Sequence, residues 1–313
     1  MKLFYLKSCQ WEIDTIHIEI LEKIKEKIET IYYEENEILK LLEYEDAVNN
    51  CFIVVRCTND YNDVIRVVEK LKPLCIFHLS DEFGIYNYWL NLAQHTKILF
   101  RQYNHKNYEY SYENIFQIPI GYVTNFLSKK NSIEILHKTP QHRGYEFSFV
   151  GQLKSDRSMM IEKINKNFNK TKIITVNTIW VLDQLQIKPE ELHEIYEDTI
   201  FVAIGKGGIT LECFRIYEAV VSGAIPVIVS SDLDELKTFF CFNNNFPPFL
   251  FFKSWDDAVY NCKELLKNPT ELQNLQIKNL FWWKTMIENI QTKIQKLVEE
   301  LEKPTPNIED IKV

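Results

Sequence analysis

Short apolar runs alternate along the chain with segments of helical periodicity. Cys51–Arg56, Leu74–Leu79, Ile98–Arg101, Phe147–Val150, Lys172–Val176, Ile200–Ile204, Ala224–Val229 and Phe249–Phe252 are continuous enough to be strands buried on both faces. Between them Asn62–Leu71, Arg157–Phe168, Pro189–Glu197, Leu211–Ser222 and Trp255–Leu266 place apolar residues three and four apart, and several open on Ser, Asp or Thr in cap position. Strands that alternate with helices predict parallel sheets covered by helices on both faces, an α/β protein.

The pattern breaks once, between Ser128 and Gly144. There a polar segment ending Thr139-Pro140-Gln141-His142-Arg143-Gly144 reads as an interdomain linker. The expected division is a Rossmann-like domain over 1–143, a second over 144–280, a C-terminal helix over 281–303 and a loose tail over 304–313. Ile287, Ile290, Ile294, Leu297 and Leu301 form an apolar seam on that helix, too short for a persuasive coiled coil and so expected to dock on its own chain. The acidic stretch Glu19–Glu45 reads as the solvated face of a helical hairpin.

At 313 residues the chain is long enough for two cores. A formal charge of -8 offers no overall basic face and argues against nucleic acid as partner. Seven widely spaced cysteines suggest neither a disulfide framework nor a zinc site, which fits a reducing compartment. Neither a signal-peptide pattern nor a run of about 18 apolar residues is present. The expectation is a cytoplasmic protein (host cytoplasm, if the chain is viral), without a membrane span, acting as monomer or weak dimer.

Candidate chemistry concentrates in Ile204-Gly205-Lys206-Gly207-Gly208-Ile209-Thr210, which joins a strand to a helix. Glycines let a backbone approach a phosphate, and a helix N-terminus presents free N–H groups to an anion. Lys206 adds charge, and Thr210 is placed to cap the helix or to bond the phosphate. Arg215 and Glu218 share one helix face, the arginine in reach of a diphosphate and the carboxylate of a ribose diol. An exposed i,i+3 ion pair is the plainer alternative, which the glycine turn disfavours. The turn itself matches neither the Walker nor the dinucleotide fingerprint.

Arg215…Glu218-Ala219…Ser222-Gly223-Ala224-Ile225-Pro226-Val227-Ile228 resembles the signature of exostosin-type inverting glycosyltransferases of GT-B architecture. Phe147-Ser148-Phe149-Val150-Gly151-Gln152…Ser155-Asp156-Arg157 resembles the family's first donor-domain strand and helix. His78-Leu79-Ser80-Asp81-Glu82, Arg101-Gln102-Tyr103 and Ile118-Pro119-Ile120-Gly121-Tyr122 resemble segments of a xylosyltransferase-like subgroup of large DNA viruses and animals. The resemblance implies two Rossmann-like domains facing across a cleft, the nucleotide on the C-terminal one, and a terminal helix bracing the N-terminal one.

It further implies transfer of a sugar, xylose in that subgroup, from a UDP-linked donor to a glycan or glycoprotein hydroxyl with inversion. A non-catalytic sugar-nucleotide binder and a nucleotide-sugar epimerase or phosphorylase of the same shape stay open. Gly151, Ser155, Arg157, Lys206, Gly207, Gly208, Thr210, Arg215 and Glu218 are the expected donor-binding residues. Asp81 and Glu82, after a buried strand, are equal candidates for the base; His78 and Arg101 are candidates for holding acceptor or phosphate, against packing and ion-pair alternatives. Asp232-Leu233-Asp234 looks like the metal-binding Asp-x-Asp of another glycosyltransferase architecture but begins a helix. No cofactor and no essential metal are therefore expected, because arginine and a helix terminus can offset the leaving-group charge.

Overall fold

The computed structural model describes residues 1–56, 61–84, 88–104, 113–127, 138–154, 156–176, 186–207 and 210–302. Two parallel sheets organise them. The N-terminal sheet contains β1 (Lys2–Leu6), β2 (Glu29–Tyr33), β3 (Cys51–Arg56), β4 (Cys75–Leu79), β5 (Ile98–Arg101) and β6 (Ile115–Gln117), in the order β2-β1-β3-β4-β5-β6. Among its helices are α1 (Tyr61–Leu71) and α2 (Trp89–Ala93). Val64, Val67, Val68 and Leu71 form the buried stripe of α1 at helical spacing.

The C-terminal sheet contains β7 (Tyr145–Gly151), β8 (Thr171–Thr175), β9 (Thr199–Ile204), β10 (Ile225–Val229) and β11 (Leu250–Phe252), in the order β11-β10-β9-β7-β8. Its helices are α3 (Arg157–Asn167), α4 (Pro189–Glu197), α5 (Phe214–Val221), α6 (Leu233–Phe239) and α7 (Trp255–Leu266). Every strand pair in both sheets is parallel. Strand order reverses between β7 and β9, and a crevice opens beyond the carboxyl ends at such a switch point.

The last helix, α8 (Pro269–Glu302), starts twelve residues before the expected 281 and is 34 residues long. It joins the two halves. Gln276 Nε2 donates to the carbonyl of Gly223 at 2.9 Å, while Trp283 Nε1 donates to Glu19 Oε2 at 2.9 Å and Gln291 Nε2 to the Glu19 carbonyl at 2.7 Å. Ile287, Ile290, Ile294 and Leu297 are buried on their own chain, whereas Leu301 is exposed.

One expectation fails in the acidic stretch. Instead of a helical hairpin, residues 19–45 contain strand β2 flanked by a π-turn (Thr15–Ile20) and 3₁₀ turns (Glu22–Lys27, Glu35–Glu43). The run Thr30-Ile31-Tyr32-Tyr33 is β-branched and aromatic, and Tyr33 donates its hydroxyl to the Val54 carbonyl at 2.8 Å. β2 is an edge strand, so its flanking glutamates stay solvated and guard the edge. In the linker, 128–137 lie outside the described residues. Beyond them Arg143 is buried and ties the linker down, donating to the carbonyls of Lys138, Tyr196, Thr199 and Ser222.

Candidate active site

A cavity of about 210 Å³ lies at the β7/β9 switch point. Val150, Gly151, Gln152, Lys154 and Arg157 follow β7 into α3 around it, and Gly207, Glu212, Cys213, Phe214, Arg215 and Glu218 carry the chain from β9 into α5. From the opposite half come Trp11, Glu82, Tyr103, Ile120 and Val123. Both halves thus build one site, with an apolar end at Val176, Ile187, Pro189 and Leu192.

Arg157 is 1% exposed and donates from Nη1 to the Gln152 carbonyl at 2.8 Å and from Nη2 to the Lys206 carbonyl. Its guanidinium carbon is 5.7 Å from the centroid of Phe149, and that of Arg215 is 5.5 Å from the same ring. One aromatic side chain therefore carries two like charges. Burial, then the Arg215 charge, lowers the Arg157 pKa to about 10. Lys154 is also lowered, by burial and then by Arg157. Among the described residues neither Lys154 nor Arg215 has an ion-pair partner. Gly205 makes this arrangement sterically feasible, because a Cβ there would stand 2.6 Å from Arg157 Cγ.

Glu82 projects from the other half. It is half-buried, and its Oε1 accepts the Thr210 backbone N–H at 3.2 Å. A Cβ on Gly207 would lie 3.3 Å from that oxygen, so the glycine turn and Glu82 are in direct contact. Glu218 is 3% exposed; burial raises its pKa to about 7, against the opposing pull of Arg215 and of the Val123 backbone. It forms no ion pair with Arg215 among the described residues, unlike the plainer sequence alternative.

Of the residues expected from sequence, Glu82, Gly151, Arg157, Gly207, Arg215 and Glu218 converge on the cavity. Ser155 and Gly208 lie outside the described residues. Lys206 turns its ammonium away to Glu235, at 3.2 Å. Thr210 does not cap the helix: α5 starts at Phe214 with Cys213 in cap position, and the Thr210 hydroxyl donates to the Glu212 carbonyl at 3.1 Å. Three intervening residues put it out of cap range.

His78, Asp81 and Arg101 do not line the cavity. Asp81 is 1% exposed and ion-paired through Oδ2 to Arg101 Nη2, with its Oδ1 accepting the Gly84 N–H at 3.1 Å. Arg101 stacks its guanidinium 4.5 Å from the Trp89 ring centroid. His78 is fully buried, 3.2 Å from the Tyr88 hydroxyl, and burial followed by the Arg101 charge holds its pKa well below the usual range. These three residues form a structural cluster under the sheet end. Asp232 caps α6 through hydrogen bonds from the N–H groups of Asp234 (2.9 Å) and Glu235 (3.1 Å).

Sequence reasoning missed Trp11, Tyr103, Lys154 and Glu212. Lys154 carried a signal, being three residues past a glycine at a strand end. Trp11 and Glu212 carried none, since one sits in an irregular turn and the other in a run that reads as helix.

A family model described as the RXYLT1 C-terminal domain matches residues 124–302, more than half of the chain. Ribitol-5-phosphate xylosyltransferase 1 of Homo sapiens is 26% identical over 262 residues, covering 74% of this chain and 55% of its own length. The Mus musculus protein of the same name is 24% identical over 210 residues, 59% of this chain and 44% of its own. The chain spans about half the length of these relatives. Among solved structures, Anabaena HepE in complex with UDP and glucose superposes with TM-score 0.51 at 11% identity, over 96% of this chain and 99% of that one. The DNA modifying enzyme β-glucosyltransferase, solved in the presence and absence of the substrate uridine diphosphoglucose, gives 0.50 at 12% identity, over 96% and 100%. At such identities the likeness establishes the fold, two parallel sheets in GT-B arrangement. With its fold of that architecture and its sequence matched from the linker to the end of α8, the chain belongs to the RXYLT1 C-terminal domain family.

Proposed function

We propose that the chain is a glycosyltransferase that moves a sugar from a UDP-linked donor to a glycan hydroxyl with inversion. One observation carries the reading: Lys154, Arg157 and Arg215, without carboxylate ion-pair partners among the described residues, line one cavity with the glycine turn, and Glu82 from the opposite half reaches that same turn. Arg157, Arg215 and Lys154 hold the diphosphate, and the apolar end takes the nucleobase. The relatives' name points to xylose as the sugar and to a ribitol-5-phosphate unit as acceptor.

In the transfer the acceptor oxygen attacks the anomeric carbon as Glu82 takes its proton, and the sugar–phosphate bond breaks with its electron pair leaving on UDP. Glu82 is preferred to Asp81 because it reaches the cavity and is not committed to Arg101. Three cations offset the developing charge, so the reaction needs no metal. Among the described residues Cys51, Cys75, Cys213, Cys241 and Cys262 form no disulfide, which supports a reducing, cytoplasmic setting.

Calorimetry with UDP and UDP-sugars, followed by acceptor-dependent UDP release in EDTA, tests the reading. UDP binding with acceptor-dependent release in EDTA is the expected result. Absence of UDP binding would refute the donor site, binding without release would leave a non-catalytic binder, and release that returns only with Mn²⁺ would refute the metal-free mechanism.

A further inference from the structure

One buried carboxyl in the cavity wall has no part in the proposed transfer. Glu212 is 1% exposed and lies between the glycine turn and α5. Its Oε1 accepts the backbone N–H of Ile120, in the N-terminal half, at 3.2 Å, and also the hydroxyl of Tyr217 on α5. Its own carbonyl accepts the Thr210 hydroxyl at 3.1 Å, and the Thr210 N–H is the group that bonds Glu82. A single residue therefore touches the donor helix, the glycine turn and the facing loop.

We propose that Glu212 is a positioning residue that fixes the separation of the two halves at the cavity and thereby sets Glu82 against the donor turn. The proposal rests on the reading of Glu82 as the base. Its second oxygen, Oε2, is shielded from solvent and has no hydrogen-bond partner among the described residues, an arrangement costly for an anion. Among the described residues Glu82, Tyr103 and Tyr217 interact with it electrostatically, Cys213 is its neighbour in the chain, and the cations Lys154, Arg157 and Arg215 line the same cavity without a resolved effect on it. Burial, opposed by Tyr217 and the Ile120 amide and reinforced by Glu82, raises its pKa to about 8. Glu212 is thus neutral at pH 7, and its ionisation places an unpaired charge between the halves.

The test compares wild type with Glu212→Ala, Glu212→Gln and Tyr217→Phe in donor turnover from pH 6 to 9.5, UDP affinity and unfolding. Glu212→Ala is expected to lower kcat at least tenfold while the Kd for UDP changes less than threefold. Glu212→Gln should rescue most of that loss, since its carbonyl accepts both hydrogen bonds, and should abolish a fall in rate above about pH 8 seen in the wild type. Tyr217→Phe should move that fall to higher pH, because the lost hydroxyl stabilised the anion. Native kcat in Glu212→Ala, or an unchanged alkaline fall in Glu212→Gln, overturns the proposal. Should the alanine variant fail to fold, the pH profile of the glutamine variant decides. Failure of the functional reading looks different, as a wild type that neither binds UDP nor turns over donor.

Discussion

Asp81 and Glu82 are adjacent carboxylates that their sequence treats alike, and their replacements should have opposite consequences. Asp81 and Arg101 are 1% and 0% exposed and form one buried ion pair. Truncation in Asp81→Ala removes this counter-charge from a buried guanidinium whose other contacts include the Tyr103 carbonyl at 3.2 Å and the Trp89 ring face. Breaking a buried pair from one side costs about 3–5 kcal/mol. That is a large part of the roughly 5–15 kcal/mol that keeps a domain folded. Urea unfolding followed by tryptophan fluorescence should show the loss as a lower midpoint at similar slope, with low soluble yield. A paired Asp81→Leu, Arg101→Met variant, which leaves no buried charge, should recover more than half of it. Glu82→Gln, at a half-buried cavity position, should stay within about 1 kcal/mol of wild type while losing donor turnover. An Asp81→Ala protein within 1 kcal/mol of wild type would refute the assignment of Asp81 to a structural pair.

Three further outcomes follow from the geometry. Gly205→Ala puts a Cβ 2.6 Å from Arg157 Cγ, so the arginine must swing out and UDP affinity measured by calorimetry should fall about tenfold or more, one charged hydrogen bond being worth about 1.5–3 kcal/mol. Trp283→Phe removes the indole N–H from the buried Glu19 carboxyl and should destabilise the protein by about 1–3 kcal/mol in chemical denaturation, with the Glu19 oxygen left unmet. Glu12, Glu19 and Glu218 have pKa values raised to about 7 and Glu212 to about 8, in each case chiefly by burial. Between about pH 4.5 and 8 the native state therefore holds more protons than the unfolded chain, and the contribution of these four groups to stability falls as pH rises. The melting temperature should be higher at pH 6 than at pH 8.5, and an increase across that interval would contradict the burial of these carboxyls.

The strands and helices of the C-terminal half were legible because their signals are local. The run Phe201-Val202-Ala203-Ile204, the glycines behind it and the apolar strand after Gly223 specify strand, turn, helix and strand without reference to the rest of the chain. β1, β2 and β6 escaped notice for the opposite reason. β2 carries charge at its edge and β6 is three residues long, so each is defined by the neighbour it pairs with. The same contrast governs the site. Arg157, Arg215 and Glu218 sit on helices whose first turns point at a strand end, a placement that follows from their offset to the glycines.

Residues at strand ends and in turns carry no such offset. His78 and Arg101 look like cleft residues from sequence, yet packing makes them partners of Tyr88 and Asp81. Lys206 sits in the glycine turn but gives its charge to Glu235. The sequence alone determined an α/β chain with a phosphate-cradling turn on one sheet. Tertiary structure decided which of two neighbouring carboxylates faces that turn, because consecutive side chains at a strand end diverge. Asp81 turns toward Arg101 within the N-terminal half, whereas Glu82 meets Thr210 only when the second half of the chain is folded against the first.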